Sequence, residues 1–219
     1  MALTFPLATD VFQDVINVAA APFRLRENQE YSGLGSGQVY GAELSAPLWT
    51  TDVRLFSAFA DDAVEIQALI ESLNGVLKTF YFYDPRTSHP KADPDGSILG
   101  AATPIISSVH PSNHAMRLSG LPVGYTLTRG DMLAFNYADP ARRALHQLNE
   151  TVTASSSGVT PLFDVRPHFR PGVEAGLDVM LIKPAAKMLI VPGTLQIGVT
   201  DDFGTTAISF TALQSIRAN

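Results

Sequence analysis

The chain contains no cysteine among its 219 residues, so the sequence excludes disulfide bonds and metal sites built from thiolates. Long apolar runs are also missing, because no stretch approaches the roughly 20 residues that a helix needs to span a bilayer. The N-terminal segment has neither the basic region nor the apolar core of a signal peptide. These absences predict a soluble protein that folds in a reducing compartment and does not insert into a membrane.

Charge is scarce and leans to the acidic side. Charged residues make up 16% of the chain, against roughly 25% in an average domain. The chain has 15 basic and 21 acidic residues, which gives a formal net charge of −6. Proteins that bind nucleic acid or anionic membranes need basic patches, so this balance argues against both classes. The low charge also suggests that partners cover part of the surface.

The usual signatures of catalysis are absent from the sequence. The nucleophile elbow Gly-x-Ser-x-Gly does not occur, and no spacing pairs two carboxylates. His110 and His114 are four residues apart, but Pro111 between them prevents the helix that a metal-binding pair of this spacing needs. We therefore predict no catalytic residue, no cofactor and no metal site. A small hydrolase whose site forms only on folding remains an open alternative.

Residues 32–41 (SGLGSGQVYG) are rich in glycine, as a phosphate-binding loop or a hairpin loop would be. A phosphate loop follows a buried strand and opens a helix. Residues 24–31 are polar, and Pro47 stops any helix that follows. Gln38 also stands where the dinucleotide fingerprint requires a third glycine. The segment is therefore predicted to be a hairpin loop whose glycines permit positive φ angles.

Many short apolar runs, interrupted by 16 glycines and 15 prolines, indicate a mainly β protein. Residues 49–57 alternate between apolar and polar, which predicts a half-buried strand with the single tryptophan in the core. One helix is predicted over residues 61–74, with Asp61 or Asp62 as its N-terminal cap. Residues 76–83 are apolar on both faces, which predicts a central strand.

The organisation of the chain follows from the spacing of its β segments. Beyond residue 97 they recur about every 10 to 15 residues, which is typical of a small barrel or sandwich. Residues 1–85 and 186–219 each hold too few strands to close a core alone. We predict that these two ends pack together into one body that carries the helix. Residues 97–183 then form a small inserted barrel, with 84–97 and 183–186 as the two crossings.

Several phrases along nearly the whole chain resemble the distal tail proteins of long-tailed phages and prophages. They are residues 29–37 (QEYSGLGSG), 48–50 (LWT), 80–86 (FYFYDPR), 124–135 (GYTLTRGDMLAF), 163–172 (FDVRPHFRPG) and 183–188 (KPAAKM). The resemblance implies a β-sandwich hub whose copies form a hexameric ring beneath the tail tube, with an OB-like barrel facing outward. It carries no catalytic residues, and the galectin-like domain of some relatives has no counterpart here.

The same resemblance implies partners and a location. The partners would be sister copies of the chain, the tail tube protein above the ring and the hub or baseplate proteins below it. Phage DNA would pass through the ring without specific binding. The location would be the tail tip of the virion, and the host cytoplasm during assembly.

A conduit for DNA should repel phosphate, so acidic residues are predicted to line the bore of such a ring. The candidates are Glu43, Asp52, Asp61, Asp62, Asp201 and Asp202. The alternative function is a carbohydrate-binding module for attachment to the host surface. Such a module would stack sugars on exposed aromatic side chains, for which the candidates are Tyr31, Tyr40, Tyr125 and Tyr137.

Overall fold

Antiparallel strands dominate the structure, a computed structural model that describes residues 3–218. Within these residues one α-helix, α1, spans Ala60–Glu71, and a 3-10 turn spans Pro85–Thr87. The strands in chain order are β1 (Val18–Ala20), β2 (Phe23–Gly33), β3 (Val39–Leu55), β4 (Ala58–Phe59), β5 (Phe80–Phe82), β6 (Ile105–Val109), β7 (Ala115–Ser119), β8 (Thr126–Leu127), β9 (Met132–Tyr137), β10 (Arg142–Leu148), β11 (Val152–Thr153), β12 (Phe163–Arg166), β13 (Val179–Met180), β14 (Ala186–Ile190), β15 (Gln196–Ile197), β16 (Thr205–Thr206) and β17 (Ile208–Gln214).

The larger sheet combines strands from both ends of the chain. Its order is β1-β3-β17-β14-β5, and in addition β2 pairs with β3 and β15 pairs with β17. Its central contact is the antiparallel pairing of β3 with β17. Leu7 covers the outer edge of β5, because its N–H donates to the Thr79 carbonyl at 3.0 Å and its carbonyl accepts from the Tyr81 N–H at 2.8 Å. The sheet therefore needs residues from both termini.

The smaller sheet comes entirely from the middle of the chain and is a nearly closed barrel. Its order is β13-β9-β10-β12-β7-β6. The two end strands approach each other, since the Ile106 N–H donates to the Leu177 carbonyl at 2.9 Å and the Gly176 N–H donates to the Ile106 carbonyl at 2.7 Å. The prediction of a mainly β fold with one helix and a small barrel is confirmed.

The two sheets share apolar contacts. Met132, Ala134 and Leu145 of the barrel belong to the same buried cluster as the inner side chains of the larger sheet. Trp49 of β3 is buried in this cluster, and its Nε1–H donates to the Leu145 carbonyl at 2.7 Å. The prediction that the tryptophan lies in the core is confirmed, and it also links the sheets directly.

The helix differs from its predicted bounds and cap. It begins at Ala60 and ends at Glu71, so the predicted end at residue 74 is too late. Phe59 occupies the N-cap position, and no side chain caps the helix there. Asp61 and Asp62 lie in the first turn instead, where they still interact favourably with the helix dipole. The capping prediction was wrong because the chain enters the helix directly from β4.

The predicted strand over residues 76–83 is also shorter than expected. Only Phe80–Phe82 forms β5, and this strand lies at one end of the larger sheet rather than at its centre. Asn74 and Gly75 have φ angles of 49° and 62°, so the chain turns sharply after the helix. The Lys78 N–H completes the turn by donating to the Leu73 carbonyl at 3.1 Å. The strand can begin only after this turn.

Trp49→Phe is expected to lower the free energy of unfolding by about 2 kcal/mol, because it removes a buried hydrogen bond and leaves a cavity between the sheets. Urea denaturation followed by far-UV circular dichroism measures the change. Phe59→Leu is the control, since Phe59 is exposed and its replacement should change stability by less than about 0.5 kcal/mol. Equal losses in the two variants would contradict the role of Trp49.

Candidate functional site

A two-stranded hairpin projects from the larger sheet. We call residues 26–45 the hairpin arm; here β2 and β3 pair only with each other, and every residue is exposed. At its tip the Leu34 N–H donates to the Gln38 carbonyl at 2.8 Å, and Gly37 has a φ of 82°. The hairpin-loop prediction for the glycine-rich segment is confirmed. Because an isolated two-stranded hairpin is marginally stable in water, the arm is the leading candidate for contact with a partner.

The arm carries large apolar side chains on both faces. Residues directly opposite in an antiparallel pair share a face, and the register pairs Gly33 with Val39 and Ser32 with Tyr40. Tyr31 and Val39 therefore lie on one face and Tyr40 on the other. Tyr31 is 78% exposed and Tyr40 is 62% exposed. A ribbon with this pattern suits insertion between two surfaces better than one-sided contact.

A groove of about 380 Å³ separates the base of the arm from β12. Two side-chain contacts cross it: Arg166 Nη2 forms an ion pair with Glu27 Oε1 at 3.1 Å, and His168 Nδ1 lies 3.9 Å from Glu43 Oε1, a contact that is ionic only with a protonated imidazole. All four side chains are partly exposed, and such pairs contribute about 0–1 kcal/mol each. The arm is therefore held weakly against the barrel. Glu43, a predicted bore residue, faces this groove.

Four of the six predicted bore residues lie at one end of the molecule. β4 leads directly into α1 and pairs with β16, and β16 follows the turn at Asp201 and Asp202. This pairing brings Asp61 and Asp62, in the first turn of α1, to the same end as Asp201 and Asp202. Their sequence separation is about 140 residues, so only the fold reveals the group.

Asp52 is separate from these four carboxylates. It lies in β3, forms an ion pair with Arg24 and accepts a hydrogen bond from Thr211 Oγ1 at 2.9 Å. One copy of the chain therefore holds the six carboxylates at three different places: the base of the arm, the face of the larger sheet and the end near α1. That these six carboxylates line the bore of a ring stays a prediction.

Two of the four aromatic residues proposed for sugar stacking are buried. Tyr125 and Tyr137 are each 2% exposed and pack in the barrel core, so their part in the carbohydrate alternative was wrong. The Tyr125 hydroxyl donates to Asp93 Oδ2 at 3.1 Å. Burial, together with this carboxylate, raises the pKa of Tyr125. Sequence alternation alone could not separate these tyrosines from Tyr31 and Tyr40.

Three buried aspartates, which the sequence did not identify, hold the crossing at residues 84–97 in place. Asp84, Asp93 and Asp131 each accept a backbone N–H at 3.0 Å, from Phe23, Ile98 and Lys91 respectively. Burial raises the pKa of Asp131, while its hydrogen bonds act in the opposite direction. The carboxylates satisfy backbone donors that would otherwise be buried without partners, so their role is structural.

His146 is a buried titratable group in the barrel. Its ring stacks on Phe135 with 5.2 Å between centroids, and its Nδ1 donates to the Pro167 carbonyl at 2.8 Å. Burial lowers the pKa of His146 to about 4, and the nearby charge of Arg170 adds to the shift. The imidazole is therefore neutral at pH 7 and serves packing.

Within residues 3–218 no three His, Asp or Glu side chains lie close enough together to hold a metal ion. The single helix in this part of the chain lacks the length and apolar character that crossing a membrane requires. The surface features that stand out are therefore the hairpin arm and the acidic end of the molecule.

Comparison with known families finds no family model that matches the chain. A search of curated proteins finds no match either. The hairpin arm and the distribution of charge are therefore the observations that a functional proposal must use.

Acidification from pH 6.5 to pH 4 is expected to destabilise the protein through His146. The folded state holds this imidazole neutral with a pKa of about 4, whereas the unfolded chain protonates it near 6.5. The unfolded state therefore binds more protons in this window, and the free energy of unfolding falls with pH by up to about 3 kcal/mol. Urea denaturation at several pH values measures the slope.

His146→Gln is expected to flatten that slope relative to the parent chain. His110→Gln is the matched control, because it removes a histidine that is exposed rather than buried in the barrel. A slope in His146→Gln equal to that of the parent would show that another group dominates the pH dependence.

Proposed function

We propose that the chain is a structural subunit of a phage tail tip, a distal tail protein whose copies form a ring between the tail tube and the hub or baseplate. The observation that carries this proposal is the hairpin arm. Its residues are exposed on both faces, and it gains little stability from its own subunit. In a ring, a sister copy would cover the arm and supply the missing contacts.

The distribution of apolar side chains on the arm supports a protein partner. Tyr31 and Val39 on one face, with Tyr40 on the other, need apolar surfaces on both sides to leave water. A neighbouring subunit that receives the arm in a cleft provides both. The weak side-chain contacts at the base of the arm allow its direction to adjust as the neighbour docks.

The proposed function is structural rather than catalytic. The ring would join the tube protein on one side to hub or baseplate proteins on the other, and DNA would pass through it. A net charge of −6 disfavours retention of DNA, since binding nucleic acid requires basic surfaces. The buried carboxylates and His146 satisfy structural hydrogen bonds, which agrees with a scaffold.

The second candidate function is carbohydrate binding through Tyr31 and Tyr40. Both rings are exposed, as sugar stacking requires. They lie on opposite faces of the arm, so they cannot form one stacking platform within a single copy. A glycan array probed with the parent chain and with Tyr31→Ala and Tyr40→Ala tests this candidate. Binding that depends on either tyrosine, by a chain that stays monomeric, would favour it over the ring.

Shortening the arm is expected to abolish ring formation. In the variant, residues 28–44 are replaced by Asn-Gly, which joins the two strands through a two-residue turn. Multi-angle light scattering should show a hexamer of the 23.5 kDa chain for the parent and a monomer for the variant. Circular dichroism should give the arm-shortened variant a thermal midpoint close to that of the monomeric fraction of the parent, because the arm lies outside the core.

Val123→Ser serves as the control for loss of an exposed apolar side chain outside the arm, and it should assemble like the parent. A parent chain that remains monomeric across all concentrations, or an arm-shortened chain that still forms the ring, would contradict the proposal.

A further inference from the structure

Three phenylalanines and a valine project into solvent at the end of the molecule where β4, β16 and α1 meet. We call Phe56, Phe59, Phe203 and Val199 the aromatic patch; their exposed fractions are 60%, 67%, 87% and 94%. The pairing of Thr205 with Phe59 brings the two parts of the patch together. Large apolar side chains exposed together at one end of a fold are typical of interaction sites.

A groove of about 470 Å³ opens beside the patch. Phe56 and Phe59 line it together with Val15, and Asp62 and Glu65 contribute the charge. The groove therefore combines apolar walls with carboxylates and can accept side chains that are apolar along their length and cationic at their ends.

Two segments that meet at this end of the fold carry acidic charge alone. Residues 55–76 and 188–216 contain no lysine or arginine and hold six of the 21 acidic residues. These six account for the whole formal net charge of −6, so the rest of the chain is balanced. Contacts between α1 and β16 join the two segments at one end of the fold. The carboxylates beside the aromatic patch therefore have no basic partner within their own segments, and the basic residue nearest to the patch in sequence is Arg54, two positions before Phe56.

The turn that presents Phe203 is ordered by Asp201. Asp201 Oδ1 accepts from the Phe203 N–H at 3.0 Å and from the Thr205 N–H at 2.8 Å, and its Oδ2 accepts from Thr205 Oγ1 at 2.8 Å. The hydrogen bonds from Thr205 lower the pKa of Asp201, so its carboxylate stays charged. A pre-ordered turn loses less conformational entropy when a partner docks.

We propose that the aromatic patch docks a cationic amphipathic segment of another protein, one that presents apolar side chains beside lysine or arginine. The apolar side chains cover the phenylalanines, and the cations pair with carboxylates such as Asp61, Asp62 and Asp202. The same field repels acidic segments and nucleic acid, so charge complementarity selects the partner. This docking does not depend on ring formation. Four predicted bore residues, Asp61, Asp62, Asp201 and Asp202, lie at this end of the molecule. If they lined a bore, the neighbouring phenylalanines would stay exposed to water, so docking gives this end a different role.

A synthetic 18-residue helix of leucine and lysine, with the lysines on one face, is the probe. Fluorescence anisotropy with the full chain measures its affinity, and hydrogen exchange locates the bound peptide. Protection is expected around residues 56–65 and 197–205. Two peptides of the same length serve as controls: one of leucine and glutamate, which lacks the cations, and one of serine and lysine, which lacks the apolar face. Both should bind at least tenfold more weakly.

The variants separate the patch from the general acidity of the protein. Phe59→Ser with Phe203→Ser, and separately Asp61→Asn with Asp62→Asn, should each weaken binding of the leucine–lysine peptide at least tenfold. Ile98→Ser with Val123→Ser is the matched control, since both side chains are exposed and lie outside the patch, and it should bind like the parent. All of the replaced side chains are exposed, and circular dichroism verifies that each variant folds.

Equal affinity of the parent and the patch variants would overturn the proposal, as would equal binding of the leucine–lysine and serine–lysine peptides. Self-association that the phenylalanine variants abolish would also overturn it, because the occupant would then be a second copy of the chain. Failure of the ring proposal would appear only in the arm-shortening experiment, so the two can be told apart.

Discussion

The pairing of β3 with β17 is the contact on which the rest of the structure depends. Each end of the chain supplies only part of the larger sheet, with β1, β2, β3 and β5 from the first end and β14, β15 and β17 from the last. The pairing places the last strand of the chain beside β3, the longest strand, with β14 and β5 on the far side. It also places Trp49 where its indole reaches the barrel at Leu145. The core of the larger sheet and the contact between sheets therefore form together.

One long strand connects the core with the arm. β3 runs from Val39 to Leu55; its second half alternates between buried and half-buried residues, while its first half is exposed on both faces. The buried half anchors the arm through continuous backbone, so the arm needs no strong side-chain contacts of its own. This arrangement gives a projecting element that is fixed at its root and unpartnered at its tip.

The acidic side chains of the fold have two different roles, depending on whether they are buried or exposed. Inside, Asp84, Asp93 and Asp131 accept backbone N–H bonds and keep the crossing segment against the body. Outside, acidic residues of two segments that contain no lysine or arginine lie at the same end of the fold as the exposed phenylalanines. The buried carboxylates stabilise the fold, whereas the exposed ones leave an unbalanced field that a partner can use.

The sequence by itself determined the features that depend on local periodicity and turn chemistry. The alternation at residues 49–57 predicted a strand with a buried tryptophan, the apolar stripe predicted a helix, and the glycine-rich segment predicted a hairpin loop, because each is decided by near neighbours. The N-cap of the helix and the length of β5 were missed, since β4 pairs with a distant strand and the chain turns at Asn74 before β5 begins. Only the tertiary structure decided which tyrosines are buried and which carboxylates meet. Those outcomes are set by contacts between residues far apart in the chain, and no local pattern records them.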